Sequence, residues 1–286
     1  MSDRCSWMLH AVCVLPVFDS RPLSPVHTVH HWLYKYAGIL HRDLSPNNIM
    51  WRFIEEKNAQ GSMEWRVYGV LTDYDLSSFT ATMNSDYKKT SQQRTGTPPY
   101  MAQELLKRTS SFHLYRHDLE SLFYIMLLTA ARHMIGTPEG EDKPRVILRK
   151  FLALPFENWF NETSYHTLGS LKGTFFSDMQ LITLSRDFED FLPWLEDLQQ
   201  CFSTGFKHKP SYDNRARKIW RVAVKPAAVQ PIEFDDETLG GQITYDTILA
   251  AVPYLTGKLE GLVIRNPKWS PAPASPTPGG AAQLDE

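Results

Sequence analysis

The sequence predicts a mainly α-helical fold with a small β-hairpin, and three observations point there. From Tyr115 onward the texture is helical, and "HDLESLFYIMLLTAARHM" is apolar around most of its circumference, which marks a central, buried helix. Two strand-like runs, "IMWRF" and "WRVYGVLT", flank the polar segment "IEEKNAQGSME", whose Asn, Gln and Gly suit a hairpin connection. With 42% apolar residues among 286, the chain can bury a core of that kind.

Taken in order, "VCVLPVF" is a short strand stopped by Pro16, and "DSRPLSP" is turn-rich linker. Val26, Val29, Leu33 and Tyr36 then recur at helical spacing, and Gly38 is placed to end that helix. The hairpin follows. The stretch from about Ser77 to Thr97 is rich in Ser, Thr and Lys without periodicity, so a long, mobile loop is expected. The tail "NPKWSPAPASPTPGGAAQLDE", residues 266–286, has little to bury and is expected to be disordered.

Composition excludes several classes. With 30 basic against 32 acidic side chains, no nucleic-acid or anionic-membrane footprint is present, and the basic run "FKHKPSYDNRARKIW" is expected to be a solvated face. The apolar run Leu122 to Ala131 is too short for a bilayer core of about 30 Å. Cys5, Cys13 and Cys201 lack C-x-x-C spacing, so neither a disulfide framework nor a thiolate zinc site is indicated. The N-terminal "WMLHAVCVLPVF" is interrupted by His10 and has no small-x-small cleavage site. An intracellular setting, cytoplasmic or nuclear, is the expectation.

The chemistry concentrates in "GILHRDLSPNNIM". His41, Arg42, Asp43, Leu44 and Asn48 match the pattern H-R-D-L-x-x-x-N. Phosphoryl transfer leaves a protein little covalent work; it needs a carboxylate at the attacking hydroxyl and oxygen ligands on magnesium nearby. Asp43 suits the first task and Asn48 the second. "VLTDYDLSS" places Asp73 after a strand as a second ligand, and magnesium is content with few protein oxygens plus phosphate and water. Two more blocks follow, "RTGTPPYMAQELL" and "RHDLESLFYIML". His27, His30 and His31 stand one helical turn apart, but "HTVHH" lacks a metalloprotease glutamate, so a packing role is expected.

Four blocks in this order resemble a protein-kinase catalytic lobe. The Ser-Pro after Leu44, the D-Y-D variant and "HDLESLFYIML" resemble more narrowly the fungal-type protein kinase family, over about residues 12 to 134. The resemblance implies a protein kinase-like fold, represented by its large C-terminal lobe over residues 26–265. It implies ATP and Mg as cofactors, with Asp43 as base and Asn48 and Asp73 on the metal. "TGTPPY" implies phosphorylation of serine or threonine in a protein substrate. His41 would pack the loop, Thr97 would face Asp43, Glu104 would pair with an arginine further on, and Asp118 would grip the catalytic-loop backbone. Apart from the resemblance, the long-loop hydroxyls of Thr80, Thr82, Ser85, Tyr87, Thr90, Ser91 and Thr95 offer phosphate acceptors with Arg42 as the charged partner, but a solvated loop is equally rich in hydroxyls and no one site is singled out.

Departures matter too. Ser45 stands where most such kinases carry a charge-stabilising lysine, and Asp75 replaces the glycine of D-F-G. No glycine precedes Gly38, and the only lysine before His41 is Lys35, so the glycine-rich loop and ATP-positioning lysine are not found. The expectation is a large lobe whose small lobe is missing, except for a possible last strand and hinge in residues 1–25. The alternative function is a truncated or degenerate pseudokinase acting as a binding scaffold, or a lobe complemented by a small lobe on a partner chain. Bare apolar surface at such a lobe predicts poor solubility or an obligate partner. D-Y-D also suits small-molecule phosphotransferases, but the "RTGTPPYMAQELL" platform speaks against them.

Overall fold

The structure is a computed structural model that describes residues 26–57, 61–80, 96–110, 112–136, 145–148, 155–210 and 234–250. The expected N-terminal strand, most of the long loop, the basic run from residue 211 and the expected tail lie outside the described residues.

Helix α1, Val26–Trp32, runs into a π-helical turn, Leu33–Ala37, which Gly38 ends in a left-handed conformation at φ 62°. A glycine is favoured at such a position because it has no Cβ. The stripe predicted through Tyr36 is not the buried one. Tyr36 is 61% exposed, whereas His30 is buried. The inward position goes to His30 because a buried carboxylate, Asp118, awaits it at 2.9 Å. Tyr34 and His31 stack on Tyr115 and Tyr245, at 4.1 and 3.9 Å.

Among the described residues there are three antiparallel two-stranded sheets, where one hairpin was expected. Strand β1, Ile39–Leu40, pairs with β4, Ser78–Phe79, in the register Ile39↔Phe79. Strands β2, Ile49–Lys57, and β3, Met63–Leu71, form the predicted hairpin, but they reach further than expected into "IEEKNAQGSME". Glu55 and Lys57 are exposed, so this end of the ribbon needs no apolar face and accepts charged residues.

Helix α2, Gln103–Lys107, precedes the central helix α3, Tyr115–Arg132, of which all but Arg132 is buried. Helical texture predicts continuation to Met134. Instead the His133 ring bonds the Thr129 carbonyl at 2.8 Å, answering one of the helix's last carbonyls, and His133–Gly136 (β5) pairs with Arg145–Leu148 (β6). Helices α4, Phe156–Asn161, α5, Tyr165–Ser177, and α6, Leu192–His208, surround α3, and a last helix, α7, spans Tyr245–Ala250. Phe123 meets Phe175, Phe176 and Phe202 at ring separations of 6.4, 5.8 and 5.5 Å. Such contacts add to the large apolar area each ring buries. No helix among the described residues is long and apolar enough to cross a membrane.

Candidate active site

Three elements position the loop that carries Asp43. Gly38 ends the helical segment, β1 ties onto β4, and the Thr80 amide donates to the Gly38 carbonyl at 2.7 Å. The turn at residues 72–77 is thereby brought beside residues 41–48.

Asp118, fully buried in the first turn of α3, holds the loop from below. Its Oδ2 accepts from the His41 amide at 3.0 Å and its Oδ1 from the Arg42 amide at 3.2 Å. The imidazoles of His30 and His113 approach the same carboxylate at 2.9 and 2.7 Å. Burial alone would raise the Asp118 pKa, but His113 and then His30 reverse it and hold the carboxyl well below the usual range. Arg42 is left-handed, φ 71°, a conformation that costs a non-glycine residue about 1 kcal/mol or more and persists where surrounding contacts fix it.

His41 is a strut of the loop. Its Nδ1 accepts the Asp43 amide at 3.4 Å, so Nε2 carries the proton and donates to the Thr72 carbonyl at 2.9 Å. Burial lowers its pKa, which favours this neutral form.

Asp43 is half-buried, and its Oδ1 accepts from both the amide and the hydroxyl of Thr97, at 3.0 and 3.1 Å. The chain approaches closely through Gly96, where a Cβ would lie 2.9 Å from Met101 Cγ and 3.4 Å from the Arg42 carbonyl. Asn48 donates its side-chain N–H to the Asp43 carbonyl at 2.8 Å, which leaves its Oδ1 as the oxygen a hard cation would take. The Asn48 carbonyl accepts from the Thr72 amide and hydroxyl at 2.9 and 3.1 Å. Asp73, next in sequence and exposed, is thus tethered near Asn48 in a left-handed conformation, φ 63°.

The donor types, one exposed carboxylate and one amide oxygen, are of the kind magnesium accepts alongside phosphate and water oxygens. Among the described residues no group of three or more His, Cys, Asp or Glu side chains gathers into an all-protein cage. Ser45 is buried, and its carbonyl accepts the Asn48 amide at 3.0 Å, so it braces the loop and brings no charge.

Glu104 meets Arg116, the arginine that the sequence left unassigned, and Lys209, whose Nζ lies 2.7 and 3.0 Å from its two oxygens. Asp236 bridges the same two cations, at 3.2 Å from Arg116 and 2.6 Å from Lys209. Burial would raise the Glu104 carboxyl, but contact with His117 and the charges of Arg116 and Lys209 hold it far below its ordinary value.

Sequence reasoning did not assign His30 and His113 to Asp118, and it missed Lys209 and Asp236. These contacts span up to about half the chain, which no local pattern encodes.

Residues 23–130 match a family model described as fungal protein kinase, less than half of the chain but including Asp43, Asn48, Asp73, Thr97, Glu104 and Asp118. No curated protein matches the sequence.

Proposed function

We propose, on the premise of the fungal protein kinase match over residues 23–130, that the chain transfers the γ-phosphoryl group of ATP to serine or threonine hydroxyls of a protein. The observation that carries this reading is the pairing of Thr97 with Asp43. Two donors on Oδ1 orient the carboxylate, and Oδ2 has no hydrogen bond among the described residues, so it can take the proton of an acceptor hydroxyl. Asn48 Oδ1 and Asp73 would hold magnesium, which supplies charge neutralisation on the phosphates. Pro98–Tyr100, following Thr97, would receive the peptide around the acceptor.

One observation favours a second reading, a pseudokinase scaffold. Ser45 is buried where most Ser/Thr kinases carry a lysine, and losing such a stabiliser costs about a hundredfold to a thousandfold in rate, although the fungal-type pattern includes this serine.

Thermal unfolding in Mg-ATP separates the two. A native-state ligand at about 100 times its dissociation constant stabilises by about 2.7 kcal/mol. The kinase reading expects a Tm that rises with Mg-ATP, no rise in Asp73→Ala, and peptide phosphorylation abolished in Asp43→Asn. An unmoved Tm at millimolar nucleotide would favour the scaffold.

A further inference from the structure

The segment Pro98 to Gln103 is held by two buried titratable side chains, Lys172 and Glu120, neither of which lies in the active-site loop. Lys172, on α5, is fully buried and directs Nζ at three backbone carbonyls: Pro98 at 3.3 Å, Pro99 at 2.9 Å and Met101 at 2.6 Å. An ammonium has three N–H donors, and three acceptors match it; a neutral amine would leave one carbonyl unanswered. The Tyr124 ring lies beneath the same nitrogen, 3.9 Å from ring centre, and the Trp159 ring at 5.4 Å. Glu120, on α3, accepts the Tyr124 hydroxyl at 2.6 Å and the Gln103 amide at 2.8 Å.

This arrangement is unusual for a lysine. Burial pushes the Lys172 pKa well below its usual value, with Glu120 opposing, and burial also raises the Glu120 carboxyl; the three converging carbonyls are the geometry that favours the ammonium. Pro98 and Pro99 carry no N–H groups, so this segment presents carbonyls without matching amides. A buried cation answers them in one place.

We propose that Lys172 is a positioning residue of the acceptor platform: by gripping Pro98, Pro99 and Met101 from below it fixes Thr97, and through Thr97 the carboxylate of Asp43. The path is short. Thr97 directly precedes Pro98, its carbonyl accepts the Met101 amide at 3.1 Å, and its amide and hydroxyl both end on Asp43. Lys172 lies outside residues 23–130, so the family match does not assign it. Its effect on catalysis rests on the kinase reading; its grip on the segment does not.

Two variants and two readouts test this. Lys172→Met keeps the apolar stem and removes the donors; Lys172→Arg keeps the charge in a planar fork that cannot converge on three carbonyls. In either variant the amides of Thr97, Met101 and Gln103 should exchange about tenfold faster, the equivalent of roughly one lost hydrogen bond, while amides within α3 keep their protection. With a peptide acceptor, KM for the peptide should rise about tenfold, an effect a merely structural role would not confine to one substrate, while KM for ATP stays unchanged. If the unmutated chain phosphorylates nothing, the kinase reading falls and the exchange data still judge Lys172. Exchange unchanged at the three amides, or raised equally throughout α3, would overturn the proposal. So would failure of both variants to fold, which would make Lys172 a core residue only.

Discussion

His117 stands fully buried in the first turn of α3, with Nδ1 accepting the Leu114 amide at 3.0 Å. That bond requires a neutral ring with its proton on Nε2, which lies 3.7 Å from Glu104. Burial first, and the Arg116 charge second, push its pKa down from 6.5 to about 3. The folded protein therefore declines a proton that the unfolded chain accepts. The resulting stability is complete above pH 6.5 and is lost as pH falls towards 3, by at most about 1.4 kcal/mol per pH unit. Between pH 6.5 and 5 the loss from this residue alone is roughly 1.5 kcal/mol. The depressed carboxyls of Glu104 and Asp118 act only at lower pH, while His41 and His133, also lowered, add to the slope. His117→Asn can still accept the Leu114 amide but does not titrate, so urea unfolding across this window should show a visibly flatter pH dependence. An equal slope in the variant would place the titration elsewhere. Residues at this scale were legible only where a motif fixes their spacing. Asp43, Asn48, Asp73 and Thr97 stand out by spacing, and the structure brings Thr97 onto Asp43 and Asn48 onto the Asp43 backbone. His30 gave no such signal, since a histidine among three in "HTVHH" looks the same whether or not a carboxylate waits 88 positions away.

Elements respond to what they pack against as much as to their own sequence. On α5, Gly169 and Gly173 face α2 one turn apart. A Cβ at Gly169 would lie 2.7 Å from Lys107 Cγ, 2.9 Å from Leu106 Cβ and 2.9 Å from the carbonyl of Gln103, a residue whose amide Glu120 holds. At Gly173 the near atoms are Gln103 Oε1 at 2.8 Å and Lys107 Nζ at 3.2 Å, the movable ends of side chains. Helix propensity favours alanine by about 1 kcal/mol at both positions, while overpacking against fixed atoms costs about 1–3 kcal/mol. Gly173→Ala should therefore be close to neutral, and Gly169→Ala should lower stability by about 1–2 kcal/mol. Denaturant unfolding of the pair decides it; equal effects would mean that α2 moves freely over α5. The same dependence explains which elements the sequence predicted. Helix α3 announces itself because seventeen consecutive residues are buried and its apolar run is long. Strand β5 does not, because "HMIG" continues that run and its partner, Arg145–Leu148, lies beyond a polar stretch with no visible period.

Across the whole molecule, the segment from Phe234, itself beyond the family match, closes over surfaces that lie mostly within it. Asp236 joins Arg116 and Lys209, while Glu237 accepts from the Tyr34 hydroxyl at 3.1 Å and the Tyr115 amide at 2.9 Å. Leu239 packs on Gly205 in α6, and Tyr245 on His31 in α1. These contacts span most of the chain length, and an acidic "DDE" offers no hint of its partners. The side of the molecule near β1 and β4 differs: Trp32, Tyr36 and Phe79 are 56%, 61% and 50% exposed, and Met50 at the start of β2 is 54% exposed. Trp32 and Tyr36 lie 5.7 Å apart and form one aromatic face. Isolated exposed apolar residues are ordinary, but large neighbouring aromatics on one face invite association. The purified chain should therefore self-associate, with a sedimentation coefficient that rises with concentration. Replacing Trp32 and Tyr36 together by serine should weaken that dependence while leaving the Tm nearly unchanged, since both rings are already more than half in water. A sedimentation coefficient independent of concentration in the unmutated chain would show that this face needs no partner, and the expectation of poor solubility would fall with it.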